Sequence, residues 1–214
     1  MLIASALALM FAADTRGPLI PGEVAQGCDY SGVTEFERAW PFEERWLVRE
    51  LLRRIDREQR CMLIIAEADP ETRKRIWPVH GPVIERIVRA NAEWLQDALD
   101  RAPLLSRRHS GDAGSTAAWL MIQHADHDPE WQRSMLPVIG RLVEDNDFSG
   151  SHYAMLVDRV AVNSGQLQTY GSQGMCGEDG VWHPRPIFEP VNVDARRAAV
   201  GLSTMKENGQ RFRC

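Results

Sequence analysis

Two imidazoles and two carboxylates fall within the five positions His124-Ala125-Asp126-His127-Asp128, directly after Gln123, and no other stretch of the chain is as dense in reactive groups. A histidine beside a carboxylate that orients it suits general acid/base work, and the same groups are metal donors. Neither H-E-x-x-H nor another zinc spacing is present, and Asp128 stands before Pro129 as a helix cap, so no metal is assigned. His124 is the acid/base candidate, Asp126 its orienting carboxylate, and His127 reads as solvent-facing. No nucleophile stands out, because G-x-S-x-G is absent and no cysteine is flanked so as to activate it. A Gly-rich phosphate loop is also absent, and the sequence names no cofactor.

The elements that must position these groups read as helices. Between Phe42 and Ala68, Leu47, Val48, Leu51, Leu52, Ile55, Met62 and Leu63 recur at helical spacing. Asp69-Pro70 reads as a cap followed by a first-turn proline, after which Pro78 and Pro82 are expected to break the segment. A second long helix is expected from Pro82 to Ala102. A loop over Ser106–Gly114 then leads to a third, Ser115–His124. Asp128-Pro129 repeats the cap and opens a fourth helix with Trp131, Met135, Val138, Ile139 and Leu142 inward. Ser151 is expected to cap a fifth. Gln166–Gln173 and Val181–Phe188 read as two strands of a hairpin near 166–188, Asn192 as the cap of a short helix ended by Gly201, and Thr204-x-x-Glu207 as a capping box. The expected fold is mainly α, a compact antiparallel helical array with a small C-terminal β-hairpin packed on it.

Three helices place a polar residue where the apolar stripe continues: Gln59, Asn91 and His124. Burying such a group without partners costs about 1 to 3 kcal/mol, so these residues either hydrogen-bond one another or line a hydrated pocket. Asp158 and Arg159 follow one another on the fifth helix about 100° apart, and so meet different neighbours. Arg159 suits an anionic ligand or an ion pair with Asp126. Tyr170 and Gln173 share a pocket only if Gly171 breaks strand alternation. Arg196 and Arg197, following Asp194, read as part of a salt-bridged surface helix with at most one Arg turned inward, and Arg196 is kept as a ligand candidate. The ligand-binding set is therefore Gln59, Asn91, Gln123, Asp158, Arg159, Tyr170, Gln173 and Arg196.

Bulk properties bound the function. A formal charge of -5 and a pI near 5.7 disfavour nucleic-acid binding, and the Arg53, Arg54, Arg57 and Arg60 run is interrupted by Asp56 and Glu58. The uncharged run 1–13 is too short to span a bilayer and suits the core of a signal peptide, so the expected location is periplasmic or secreted, with the cytoplasm as the alternative. An irregular leader over 14–33 and one domain over 34–211 follow. Cys28, Cys61, Cys176 and Cys214 leave three connectivities open. Cys28 with Cys176 is a pairing two loop cysteines can reach, and Cys61 reads as a small buried side chain.

In order and spacing, Trp119-Leu120, Gln123-His124-Ala125-Asp126, Asp158-Arg159-Val160, Tyr170-Gly171-Ser172-Gln173 and Asp194-x-Arg196-Arg197 resemble a bacterial domain-of-unknown-function family with W-L-x-x-Q-H-A-D, D-R-V and Y-G-T-Q signatures. The resemblance covers Gly111–Leu202, and more loosely Asp56–Arg60 and Asn91–Leu95. Ser172 stands where the family has Thr, and its G-W-P turn is missing before Gly111. The resemblance implies no activity, substrate or cofactor. Two functions remain: a pocket that binds, and acts on, a small polar or anionic ligand, or a non-catalytic protein-interaction module whose buried polar residues form a structural network.

Overall fold

The computed structural model describes residues 45–212 and 214. The run 1–13, the leader 14–33, Phe42 and Cys28 lie outside the described residues. In chain order the elements are α1 (Arg45–Glu67), α2 (Pro70–Leu99), α3 (Arg107–His124), α4 (Pro129–Glu144), α5 (Gly150–Asn163), β1 (Gly174–Cys176), β2 (Trp182–Pro184), a 3-10 turn (Pro190–Asn192), α6 (Val193–Ala199) and α7 (Met205–Gln210). The chain is mainly α, with a small antiparallel hairpin near the C-terminus. It divides into two compact units. The first contains the described residues through Leu104 together with Asp112–Met121, and the second contains Leu105–Gly111 and Ile122–Cys214.

In the first unit α1 and α2 pack on each other. Cys61, Ile65, Ile84, Ile87 and Val88 form a buried cluster on which Met62, Ile76, Trp77 and Val83 close. Asp69 caps α2 by accepting from Glu71 N–H (3.1 Å) and Thr72 N–H (3.0 Å). Arg73 reaches back to the carbonyls of Ile65, Ala66 and Ala68, groups left without intrahelical partners at the end of α1. Pro78 and Pro82 do not break the segment; α2 runs through both without interruption. Both prolines are exposed, and on a solvent-facing side of a helix water can take the place of the donor that proline removes.

In the second unit α4 packs on α5. α3 starts earlier than its apolar pattern indicates. Ser106 accepts His109 N–H (3.1 Å), and the buried Asp147 accepts Ser106 Oγ–H (2.6 Å) and Arg108 N–H (2.8 Å). One turn forms on this clamp before Gly111, at φ 66°, interrupts the helix. Burial pushes the Asp147 carboxyl up, but Ser106, the Arg108 N–H and the charges of Arg108 and Arg107 leave it below the usual range. Ser149, not Ser151, caps α5, accepting His152 N–H at 3.4 Å. Asn192 precedes α6 without a side-chain capping bond, whereas Thr204 and Glu207 form the expected capping box of α7.

The hairpin is shorter than its sequence pattern. Gly174 pairs with Pro184, Met175 with His183 and Cys176 with Trp182, and a single parallel bridge joins Gln168 to Ile187. Gln166–Gln173 is not a strand, because side chains satisfy its backbone, as described below. Cys176 bonds to Cys214 rather than Cys28, and Trp182 stacks on Phe212 with centroids 4.6 Å apart, so the C-terminus is held against β2. Cys61 is 3% exposed and oxidised rather than a free thiol.

Gly171 has φ +66°, and a Cβ there would come within 2.7 Å of Ile187 Cδ1 and 2.8 Å of Met205 Sδ, whereas Gly165, at φ +71°, meets nothing within 4 Å. Gly171→Ala is expected to destabilise the protein by about 2 to 4 kcal/mol and Gly165→Ala by only about 1 kcal/mol, as measured by chemical denaturation. Burial, then the charge of Arg107, lowers the pKa of His152 from 6.5 to about 4. The unfolded chain therefore binds a proton between these values that the native state refuses, and stability falls with decreasing pH from 6.5 to about 4. His152→Phe is expected to remove up to about 3 kcal/mol of that acid destabilisation, read from stability curves across the window.

Candidate functional site

The chemistry-bearing segment forms the C-terminal end of α3 and the corner that follows. Asp128 caps α4 as expected, accepting Trp131 N–H at 3.1 Å. Gln132, fully buried one turn into α4, donates through Nε2 to Gln123 O (3.3 Å) and to Ile122 O (2.9 Å), which also accepts Ala125 N–H, so the end of α3 is tied to α4.

Asp126 and Arg159 meet side-on: Nε donates to Oδ1 at 2.8 Å and Nη2 to Oδ2 at 2.5 Å. Oδ1 also accepts from Asn163 Nδ2 (2.8 Å) and Gln132 Nε2 (3.3 Å). Arg159 is 6% exposed, and its Nη1 donates to Gln173 Oε1 at 3.1 Å. The side-on geometry and burial make this a strong charge-assisted pair, and the Asp126 carboxylate is committed to Arg159, Asn163 and Gln132. His124 is 8% exposed, and His127 is half-buried rather than solvent-facing.

Gln173 is placed by the loop 168–173. The buried Asp158 carboxylate accepts Thr169 N–H (2.8 Å) and Tyr170 N–H (2.9 Å) at Oδ1, and Ser172 N–H (2.8 Å) at Oδ2. Gln168, fully buried, accepts Gln173 N–H (2.7 Å) and donates to Gln173 O (2.9 Å) and Arg185 O (2.8 Å). On the carbonyl side Arg196 Nε donates to Thr169 O (2.8 Å) and Arg197 Nη1 to Tyr170 O (2.7 Å). Burial pushes the Asp158 carboxyl up, against the opposing pull of the Tyr170, Ser172 and Thr169 donors. Burial, then the neighbouring Tyr153 and Asp158, likewise raises Tyr170.

Several residues fall in places the periodicity does not indicate. Glu58, 1% exposed, accepts from Asn91 Nδ2 at 2.7 Å, while Gln59 is only half-buried, so the inward polar residue of α1 is one position earlier than expected. Gln59 and Asn91 belong to the first unit and His124 to the second, so the three do not form one site within either unit. Arg197 is the arginine that turns inward, at 0% exposure, and Arg196 is anchored on the carbonyls of Thr169, Phe188 and Glu189. Gln132 had a signal that could have been read: stepping back from Ile139 through Met135 reaches position 132, not Trp131. Gln168 and Arg197 have no periodic signature.

Gln123 differs from all of these. It is 1% exposed, and neither its Oε1 nor its Nε2 has a hydrogen-bond partner among the described residues. Among the described residues, no group of three His, Cys, Asp or Glu side chains is arranged to hold a metal, and no helix is long and apolar enough to cross a membrane.

The chain belongs to a family of unknown function, DUF6624, whose model matches residues 56–212. No curated protein and no solved structure matches it. The matched span begins within α1 and runs through the Asp158 loop to the end of α7.

Asp158→Asn replaces one carboxylate oxygen with an NH2 that must face a backbone donor of the loop. Despite removing a buried charge, it is expected to cost about 2 to 4 kcal/mol in denaturation experiments. A change within about 0.5 kcal/mol would mean that the loop amides do not depend on the anion.

Proposed function

We propose that the second unit binds a small polar ligand at the end of α3, with Gln123 reading it through both halves of its amide and His124 beside it. The observation that carries this reading is the Gln123 side chain, buried with donor and acceptor unfilled where native proteins satisfy nearly all such groups. The complementary partner is a group with one donor and one acceptor along an edge, such as a carboxamide, lactam or urea. Arg159 balances Asp126 and reaches Gln173, which favours the neutral members of the ligand class over the anionic ones. Because the Asp126 carboxylate is committed elsewhere, we infer binding rather than catalysis for the His124 and Asp126 pair. The Cys176–Cys214 bond supports an oxidising location, periplasmic or secreted.

A second reading, a protein-interaction module with an internal polar network, draws on the saturation of Asp126, Gln168 and Gln173 by their neighbours. Thermal-shift measurements with small carboxamides, lactams, ureas and dicarboxylates separate the two. Ligand recognition predicts a rise of about 2 °C or more with one of these probes, lost in Gln123→Met and in His124→Ala, while Gln123→Met itself melts no lower than wild type because it removes an unpaired amide. Absence of any shift with the wild type, or a shift kept by both variants, returns the corner to a structural role.

A further inference from the structure

The oxidised cysteines of this chain differ in their access to solvent. Cys61 is 3% exposed and lies in the buried cluster with Ile65, Ile84, Ile87 and Val88. Cys176 and Cys214, bonded to each other, are both exposed. A thiolate must reach a sulfur to exchange with a disulfide, so a buried bond resists exchange while the fold lasts and an exposed one is open to it.

The exposed bond sits beside a packing contact. Cys176 pairs directly with Trp182 across the hairpin, which puts the sulfur and the indole on one face. The indole lies against Gly174, where a Cβ would come within 2.3 Å of Trp182 Cε2, and Phe212 stacks on it, nearly parallel at 7°. Phe212 stands between the end of α7 and Cys214, so the disulfide holds this segment at the indole. α7 has six residues, too few to stay helical without tertiary contacts. At its start Met205 N–H donates to Asp194 Oδ1 at 2.8 Å, and the Met205 sulfur lies beside Gly171 in the loop 168–173. Beyond its other end come the Trp182 stack and the disulfide. The helix is thus fastened to the Asp158 loop at one end and to a breakable contact at the other.

We propose that the Cys176–Cys214 bond is a thiol-operated lock on α7, whose reduction by a dithiol releases Phe212 from Trp182, frays α7 and loosens the loop 168–173 while Cys61 stays oxidised. One thiolate of the reductant attacks a sulfur of the pair, the S–S bond breaks, and the other cysteine leaves as a thiolate that takes a proton from water. The second thiolate of the reductant then displaces the mixed disulfide. The protein gains two electrons and two protons, and the reductant leaves as its own disulfide. The lock does not depend on the ligand proposed at Gln123.

For the test, the full chain is treated with dithiothreitol in native buffer, alkylated at intervals and mapped by peptide mass. Cys176 and Cys214 are expected to be alkylated at least about 50-fold faster than Cys61, which reacts only in denaturant. Hydrogen exchange read by mass spectrometry should show the amides of 205–212 and 168–173 exchanging roughly tenfold faster in the reduced protein, with α4 and α5 unchanged and the slow rates restored on reoxidation. Cys176→Ser/Cys214→Ser should show the fast rates with or without dithiothreitol, and labelling and exchange of the wild type decide the question even if this variant does not fold. Equal alkylation of Cys61 and the exposed pair overturns the proposal. So does reduction of the pair that leaves exchange at 205–212 unchanged, or that speeds it alike throughout the chain.

Discussion

The second unit depends on an unusual load placed on one loop: residues 168–173 are gripped between a buried carboxylate and a buried guanidinium. Asp158 takes three backbone N–H donors, those of Thr169, Tyr170 and Ser172, on one side, and Arg196 and Arg197 take the carbonyls of Thr169 and Tyr170 on the other. Neither ion makes a direct salt bridge with the other. Each is stabilised by peptide dipoles of the same six residues, so the loop is the medium through which two buried charges are satisfied. An ion left in a low-dielectric interior without such partners costs several kcal/mol, which ties the loop conformation to the fold as a whole.

That constraint reaches the corner at the end of α3. The loop presents Gln173, Gln173 receives Arg159, and Arg159 lies along Asp126, which accepts from Gln132, whose amide also donates to the carbonyls of Ile122 and Gln123 near the end of α3. A continuous set of hydrogen bonds thus sets the direction in which Gln123 and His124 leave the helix. Every side-chain group in this relay is committed to a neighbour, whereas Gln123 sits at its end with nothing to bind. On the reading proposed above, the pairing of Asp126 with Arg159 suits recognition of a small uncharged polar group better than proton transfer.

Much of the architecture was legible before any coordinates. The apolar stripes of α1 and α2, the Asp69-Pro70 and Asp128-Pro129 starts, and the Thr204 and Glu207 box all depend on residues within a turn or two of one another. Local energetics decides them, so a local pattern reveals them. Pro78 and Pro82 misled because the penalty of a proline depends on whether the orphaned carbonyl can reach water, which is a property of the folded surface. Gln166–Gln173 misled for a related reason. Its alternating pattern is that of a strand, but a strand also needs a partner, and the partner here is Asp158 on another element.

What the sequence alone determined is where the helices capped by Asp69, Asp128 and Thr204 begin and that polar residues interrupt inward helix faces, because both follow from side-chain periodicity and from capping over a few residues. What only the tertiary structure decided is which of those residues are already satisfied. Glu58 with Asn91, Asp126 with Arg159, and Arg197 with Tyr170 join positions far apart in the chain. The difference between a spent hydrogen bond and an open one, which separates Asp126 from Gln123, exists only once distant elements have been brought together.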